Sequence, residues 1–341
     1  MLSTARSALT VLLWFYLVLL GGWWILHLIY GDQIWWLALL TSFTPLFFAP
    51  RLFFLPLTLF VHHAGYLIGQ LCPLLLFIVT YGGLFLPKTP PPHQVDSPPL
   101  TVMTFNMWSG TRELQTAAVI QDNDYPDIVA LQETTPHIER LVRRAVGDHY
   151  PYSFFEYTMD GRGIATLSRY PLTPVRVDML IDLNCRVFQV AVSEARHFML
   201  YNCRPRSSNL DNFFNDGQPL PAQVRESFQL RRLLSERLVT QIQASPIPTV
   251  LIGDFNTTDQ SDAYAILQTT LLDAHRQIGW GFGHTFPAER LFWNGLPIPG
   301  RQLRIDMVWY TADFVALTTA VSPFYGESDH RPVIAQLAWR Q

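Results

Sequence analysis

The feature that most limits how this chain can fold is the near absence of charge in its first quarter. Between Ser7 and Pro87, only Asp32 and Arg51 carry a formal charge. A soluble domain of this length needs a charged surface, so this part is not expected to form one. The rest, residues 99–341, contains 21 arginines, no lysine and 25 acidic residues. These 243 residues are enough for one large domain with a substantial core.

The apolar part, residues 1–87, is predicted to be a membrane region of about three helices, over residues 8–30, 34–50 and 64–86. A secretory signal peptide is the alternative for the first stretch. It is disfavoured because its apolar core would be about 7–15 residues long and because apolar sequence resumes at once. Residues 52–63 leave open an extension, a re-entrant piece or a short fourth span.

The orientation of these helices depends on few charges. Arg6 precedes the first span and Arg51 lies between the second and the third. The positive-inside rule places both arginines in the cytoplasm, so that three spans put everything after Pro87 outside. A fourth span would reverse this orientation.

Residues 88–98 are rich in proline and predict a stiff, extended linker that holds the following domain off the membrane. In that domain, residues 99–341, strand-like and helix-like stretches alternate. Residues 101–108 and 127–134 predict strands, and residues 248–258 predict a strand followed by an acidic turn. Residues 225–243 predict a long amphipathic helix. A hairpin is expected around Ser193–His197. This order of elements indicates an α/β or α+β fold.

Polar residues recur at or near the ends of the apolar strands. They are Asn106, Glu133, Asp254, Asn256, Asp306, Asp329 and His330. A carboxylate at such a position loses hydration and needs a cation, a donor or a proton in compensation. Several converging carboxylates suit a hard cation, Mg²⁺ or Mn²⁺, far better than zinc.

Six motifs carry a family resemblance over residues 99–341. In order, they are TFNMW, IVALQET, GIATLSRYPL, VLIGDFN, RIDMVWY and SDHRPV. With these motifs the chain resembles the endonuclease/exonuclease/phosphatase superfamily of DNase-I-like, metal-dependent phosphoesterases. The resemblance implies a four-layer sandwich of two mixed β-sheets flanked by helices. The preceding apolar helices resemble bacterial members in which a multi-span anchor comes first.

The resemblance also implies roles for single residues. Glu133 matches the principal metal-binding glutamate of the family, with Asn106 and Asp329 beside the metal. Asp254 and Asn256 match the pair that handles the attacking water and a phosphate oxygen. His330 matches the histidine that faces the phosphate, and Asp306 matches the acidic residue that orients it.

One motif departs from the family pattern. Many members have Asn-x-His where this chain has Asn202-Cys203-Arg204. Arginine stays protonated, so Arg204 cannot act as a general base, but it can hold a phosphate with two donors. Cys203 and Cys185 could face each other on paired strands, and whether they form a disulfide is left open.

The sequence therefore predicts a membrane-anchored, Mg²⁺- or Mn²⁺-dependent phosphoester hydrolase, in a bacterial cell membrane and with its catalytic domain outside. The alternative is a binding or signalling module that kept the fold and lost efficient turnover at Arg204. Expected partners are the lipid bilayer and a phosphoester: nucleic acid, a phospholipid head group or an inositol phosphate. No protein partner can be inferred. The acidic balance disfavours tight duplex binding, with Arg143, Arg144, Arg231 and Arg232 as candidates for local basic edges.

Overall fold

The structure, a computed structural model, describes residues 2–61, 64–89, 98–158, 161–208, 219–293 and 296–340. Most of the predicted linker, residues 90–97, lies outside these ranges. The apolar region is helical, as expected. Its first and third predicted spans each fall on one helix, α1 (Leu2–Tyr30) and α5 (Ala64–Tyr81). By length and composition these two helices could cross a membrane.

The middle predicted span, residues 34–50, is not one straight helix. The chain there forms α2 (Trp35–Thr41), α3 (Thr44–Phe47) and α4 (Ala49–Val61). The direction changes by 78° after α2. Pro45, near the start of α3, has no N–H to continue the hydrogen bonds of α2. If the bent pair is one span, the region has three spans.

Two six-stranded β-sheets form the rest of the described chain. The first consists, in spatial order, of β13 (Phe314–Val321), β14 (Val333–Trp339), β1 (Leu100–Asn106), β2 (Ile128–Thr134), β4 (Gly163–Ser168) and β3 (Tyr152–Tyr157). The second consists of β5 (Leu172–Val175), β6 (Cys185–Ser193), β7 (Arg196–Cys203), β8 (Thr249–Asp254), β12 (Asp306–Tyr310) and β9 (Leu272–Asp273). Both sheets are mixed, because β1 and β2 are parallel, as are β7 and β8. A short separate pair joins β10 (Leu291–Trp293) to β11 (Leu296–Ile298).

Helices cover the outer faces of both sheets. They are α6 (Leu114–Asp122), α7 (Pro136–Val146), α8 (Asp178–Ile181), α9 (Leu220–Gln243), α10 (Asp262–Gln268) and α11 (Ala274–Ile278). The inner faces pack on each other through side chains such as Val102 and Leu200. Val142 of α7 packs on the outside of the first sheet, and Leu238 of α9 on the outside of the second. The predicted four-layer α/β sandwich is therefore confirmed.

The hairpin expected around Ser193–His197 is formed by β6 and β7. Cys185 and Cys203 lie opposite each other in its register and form a disulfide, which answers the question that the sequence left open. The long helix predicted over residues 225–243 starts five residues earlier, at Leu220, after Pro219.

The apolar helices contact the sandwich directly. Backbone N–H of Asp32 donates to Oδ2 of Asp262 (3.2 Å), and backbone N–H of Asp262 donates to Oδ2 of Asp32 (2.8 Å). Nearby, Phe282 packs edge-on against the rings of Tyr81 and Phe85. We call this contact region the junction; it lies between residues 31–45 and 77–88 on one side and residues 259–284 and Arg304 on the other. The linker is therefore not the only connection between the two parts of the chain.

Candidate active site

The ends of four strands meet at one end of the sandwich. Asn106 ends β1 and Glu133 lies one residue before the end of its parallel neighbour, β2. Asp254 ends β8 and is paired in register with Asp306, which begins the antiparallel β12. The topology of the two sheets thus places one polar residue from each of these strands at the same edge.

Gly253 lets β8 and β7 approach closely just before this edge. A Cβ on Gly253 would lie 1.9 Å from the carbonyl oxygen of Cys203, and its φ is +154°. Only glycine fits this position without moving a strand. The next residues on the two strands, Asp254 and Arg204, are consequently neighbours.

Asn106 connects the two halves of the site. Its Nδ2 donates to Oδ2 of Asp254 (2.9 Å) and to Oε1 of Glu133 (3.2 Å), and lies 3.5 Å from Nε2 of His330. Its Oδ1 accepts from the backbone N–H of Trp108 at 3.0 Å. In this arrangement the amide nitrogen of Asn106 faces the carboxylates, whereas a metal ligand would present the oxygen.

His330 is held by Asp306. Its Nδ1 lies 2.9 Å from Oδ2 of Asp306, and both side chains are buried. Burial alone would lower the pKa of His330, but the negative charges of Asp306 and Asp254 raise it to about 10. The imidazole is therefore a cation near neutral pH. The predicted pairing of Asp306 with His330 is present.

Asp254 is almost completely buried. Burial raises its pKa to about 6, against the lowering effect of His330 and Arg204. It accepts from the backbone N–H of Asn256 (3.0 Å) and from Nδ2 of the same residue (3.2 Å). The turn after β8 thus folds Asn256 back onto Asp254, with Asn256 at a φ of +51°.

Glu133 and Arg204 form an ion pair inside the site. Nη2 of Arg204 donates to Oε1 of Glu133, and Nε of Arg204 lies 3.8 Å from Oδ2 of Asp254. Burial raises the pKa of Glu133, but Arg204 and hydrogen bonds from Ser109 and Asn106 outweigh burial and bring it down to about 2. Glu133 also lies at a bulge, with φ at +54°, which turns its side chain out of the β2 register.

The remaining predicted residue, Asp329, directly precedes His330. Burial raises its pKa, and the charge of Glu133 adds to this effect while His330 opposes it. Its backbone oxygen accepts from the N–H of Ala288 at 2.6 Å. All eight residues singled out from the sequence therefore lie in one connected cluster.

This cluster has the chemistry of a divalent-cation site. Asp254 and Asp306 can each bring a carboxylate oxygen to within 4.8 Å of the other, close to His330, which as a cation is not itself a ligand. The carboxylates of Glu133 and Asp329 add further hard oxygen donors, the type that Mg²⁺ and Mn²⁺ prefer. The donor set therefore fits such an ion.

Arg231 is a site residue that the sequence analysis placed on a surface edge. It is 4% exposed, and it donates to the backbone oxygen of Asn256 and, through Nε, to that of Arg206 at 3.2 Å. The sequence does contain a pattern that indicates the burial of Arg231. In α9, Arg231 follows the buried Val224 and Phe228 at helical spacing, and the next buried residue of that face is Ser235.

Comparison with known proteins agrees with this fold. A sequence model of the Endonuclease/Exonuclease/phosphatase family matches residues 103–330. No curated protein matches the chain.

Solved structures resemble the sandwich at low identity. An endonuclease/exonuclease/phosphatase family protein from Bacteroides thetaiotaomicron is 17% identical, with 71% of this chain and 99% of that chain covered and a TM-score of 0.53. A mannosyl-6-phosphatase from the same organism is 16% identical (70% and 100% covered, TM-score 0.50). TDP2 of D. rerio, complexed with a single-strand DNA product, is 15% identical (71% and 99% covered, TM-score 0.52). At these identities the likeness concerns the fold.

Proposed function

The chain belongs to the endonuclease/exonuclease/phosphatase family, and from this premise we propose that it is a membrane-anchored phosphoester hydrolase dependent on Mg²⁺ or Mn²⁺. The observation that carries the proposal is the buried network in which Asn106 joins Glu133, Asp254 and His330. We keep the division into a membrane region (1–87), a linker (88–98) and a catalytic domain (99–341).

In this proposal Glu133 and Asp329 hold the cation, and Asn106 joins them if its amide turns its oxygen inward. A bound divalent cation would supply charge stabilisation to the phosphoryl oxygens and to the negative charge that develops during hydrolysis.

In this proposal, side chains of the protein accept the proton of the attacking water and orient the phosphate. Asp254, whose pKa is raised to about 6, is a suitable base for a water molecule near neutral pH. Nδ2 of Asn256 donates to Oδ2 of Asp254 (3.2 Å) and to the backbone oxygen of Pro205 (3.1 Å), and we propose that it exchanges the first of these bonds for a phosphate oxygen. His330, kept cationic by Asp306, adds positive charge that favours a phosphate.

Arg204 supplies a fixed positive charge that cannot exchange protons. It contacts Glu133 at one side and approaches Asp254 at the other. We propose that Arg204 leaves Glu133 when substrate binds and then donates to a phosphate oxygen. The same ion pair supports the alternative, a weakly active binding or signalling module, because Arg204 competes with the cation for Glu133, the proposed main metal ligand.

One assay separates these two functions. Full-length protein in detergent, with Mg²⁺, should release nitrophenol from bis-p-nitrophenyl phosphate. The release should stop with EDTA and in Asp254→Asn. If the folded protein releases nothing with either Mg²⁺ or Mn²⁺, the hydrolase proposal fails and the binding module is favoured.

We further propose that the catalytic domain faces the extracytoplasmic side of a bacterial membrane. The disulfide between Cys185 and Cys203 supports this, since structural disulfides persist mainly in oxidising compartments. Arg6 and Arg51 at the cytoplasmic side agree with it. Alkaline phosphatase fused after Gln341 should be active and green fluorescent protein dark; the opposite pattern would place the domain inside.

The proposed substrate is a phosphoester of nucleic acid, of a phospholipid head group or of inositol. The absence of lysine from residues 99–341 and their acidic balance disfavour tight binding to duplex DNA.

A further inference from the structure

A cavity of about 470 Å³ lies beside the candidate active site. Its walls come from Thr158 and Arg162, from residues 182–184 just before β6, from residues 204–206 and from Leu230 of α9. Arg204 also contacts Glu133, so that the cavity and the site share this side chain as a wall. The volume is in the range of small-molecule pockets.

The shared wall is built rigidly. Backbone N–H of Arg204 donates to the oxygen of Asn184 (2.9 Å), and Nδ2 of Asn184 donates back to the oxygen of Arg204 (2.9 Å). The residues next to this pair, Cys185 and Cys203, are joined by the buried disulfide. The cavity consequently keeps a fixed position relative to the site.

The cavity lining carries excess positive charge. Besides Arg204, which pairs with Glu133 of the site, the lining contains two arginines, Arg162 and Arg206, and one acidic residue, Asp182. Arg206 also pairs with Glu226 at 3.1 Å, but both side chains are nearly half exposed, at 45% and 48%. Such an exposed pair contributes little and can open for a ligand. The guanidinium groups are suited to a phosphate or carboxylate.

Two buried polar atoms at this wall make no hydrogen bond among the described residues, although one of them lies 3.8 Å from Oδ2 of Asp254. They are Oδ1 of Asn184, an acceptor, and Nε of Arg204, a donor. Buried polar groups in native proteins are nearly always hydrogen-bonded. A ligand that satisfies both atoms must offer a hydrogen-bond donor, such as a hydroxyl group, as well as an acceptor, such as an anionic oxygen.

The described lining contains no aromatic ring on which a base could stack. Its apolar part consists of aliphatic side chains and a proline, Leu183, Pro205 and Leu230. Resting on the proposed hydrolase function, we propose that this cavity is a substrate subsite for a phosphorylated polyol or sugar. Arg206 and Arg162 bind its second anionic group, and Asn184 binds a hydroxyl. The same chemistry occurs in a soluble polyol phosphate and in a lipid head group.

Equilibrium binding tests the subsite without any turnover. Metal-free, full-length protein in detergent is titrated by calorimetry with myo-inositol 1,4-bisphosphate. We expect binding that Arg206→Gln and Arg162→Gln each weaken at least tenfold. The control is Arg225→Gln, which removes the same charge from an exposed position of α9 outside the lining. No binding by the parent, or equal losses in Arg225→Gln and Arg206→Gln, would overturn the subsite.

Kinetic assays with several substrates identify the substrate class and show whether the polyol phosphate is soluble or part of a lipid. With Mg²⁺, Arg206→Gln should raise KM at least tenfold for the inositol bisphosphate or for vesicles containing phosphatidylinositol 4-phosphate. The increase should be clearly smaller for bis-p-nitrophenyl phosphate. A larger kcat/KM for the inositol bisphosphate than for the vesicles would identify a soluble substrate, and the reverse would identify a lipid head group. An equal increase for a single-stranded DNA oligonucleotide would mean that the cavity reads charge alone and would overturn the polyol assignment.

The two proposals fail in different ways. If bis-p-nitrophenyl phosphate is hydrolysed but Arg206→Gln affects every substrate equally, the subsite is wrong and the hydrolase stands. If nothing is hydrolysed but inositol bisphosphate binds through Arg206, the hydrolase is wrong and the subsite stands.

Discussion

The candidate active site and the junction each bury a histidine, and the two histidines differ in their charge. In the site, His330 lies beside Asp306 and Asp254, and its pKa is raised to about 10. At the junction, burial and the nearby Arg304 lower the pKa of His275 to about 4. Burial acts in the same direction on both. Negative neighbours therefore outweigh burial at His330, whereas the opposing charges of Arg304 and Asp273 leave burial dominant at His275.

The two regions also differ in how their charges are balanced. At the junction, Arg304 lies 2.8 Å from Asp273, and Arg276 pairs with Asp259. In the site, four carboxylates lie with three cations, Arg204, Arg231 and His330, which leaves an excess of one negative charge. The junction is thus arranged for stability. In the site, the excess of negative charge agrees with the divalent cation that we propose there.

The largest effect is expected from Glu133→Ala. If Glu133 holds the cation, turnover of bis-p-nitrophenyl phosphate should fall by at least about 10³-fold, a loss of several kcal/mol in transition-state stabilisation. Mg²⁺ binding should weaken and the thermal unfolding midpoint should change little. The control is Glu236→Ala, at an exposed pair on α9. Unchanged turnover in a folded Glu133→Ala protein would remove the metal assignment and the contrast with the junction.

The next largest effect is expected at Arg204, where the positive charge can bind the phosphate and can also compete with the metal for Glu133. Arg204→Ala should cost about 2–4 kcal/mol in kcat/KM, comparable to removing a preorganised donor to developing charge. Arg204→Lys should recover part of it, because one ammonium cannot replace a two-pronged donor. Metal affinity, measured by calorimetry without substrate, should instead increase, since Glu133 loses a competing cation. A weaker metal affinity would show that Arg204 supports the metal site.

The third prediction concerns the pH dependence of the junction. Unfolded His275 takes up a proton near pH 6.5, whereas folded His275 does so near pH 4. Its contribution to stability is therefore full above about pH 6.5 and is lost as the pH falls toward 4, by up to about 3 kcal/mol.

This contribution can be isolated with His275→Gln, since glutamine can still donate to the backbone oxygen of Gly281, 2.8 Å from Nε2 of the histidine. Unfolding of both proteins in denaturant at pH 7.5 and 5 should show a smaller pH dependence in the variant. Equal slopes would mean that His275 is not held neutral by the fold.

The sequence predicted the site better than the junction, for a physical reason. Residues such as Glu133 and Asp254 are costly at the ends of apolar strands, so their presence there is already a signal of function. Their order along the chain also matched a family. The pairing of strand ends at one edge then follows from the sheet topology.

The junction has no comparable signal in the sequence. Asp32 and Asp262 are 230 residues apart and meet only because the helices dock on the sandwich. The bend of 78° after α2 was missed because apolar composition resembles a continuous span and does not reveal where Pro45 starts a new helix. The charge of Arg231 predicts a surface position, and only the helical spacing of its neighbours indicates that it is buried.

The smallest expected effect comes from the reciprocal contact of Asp32 and Asp262, where each carboxylate accepts the backbone N–H of the other residue. Asp32→Ala removes one acceptor and leaves the N–H of Asp262 without it, which should cost about 1 kcal/mol of unfolding free energy. Asp32→Asn keeps an acceptor oxygen and removes one of two adjacent negative charges, so it should be neutral or slightly stabilising. Both variants should keep turnover of bis-p-nitrophenyl phosphate within about twofold, because the hydrogen bonds of the site do not involve Asp32. If Asp32→Asn is as destabilising as Asp32→Ala, the charge of Asp32 matters to the junction, which would then share with the site a need for net negative charge.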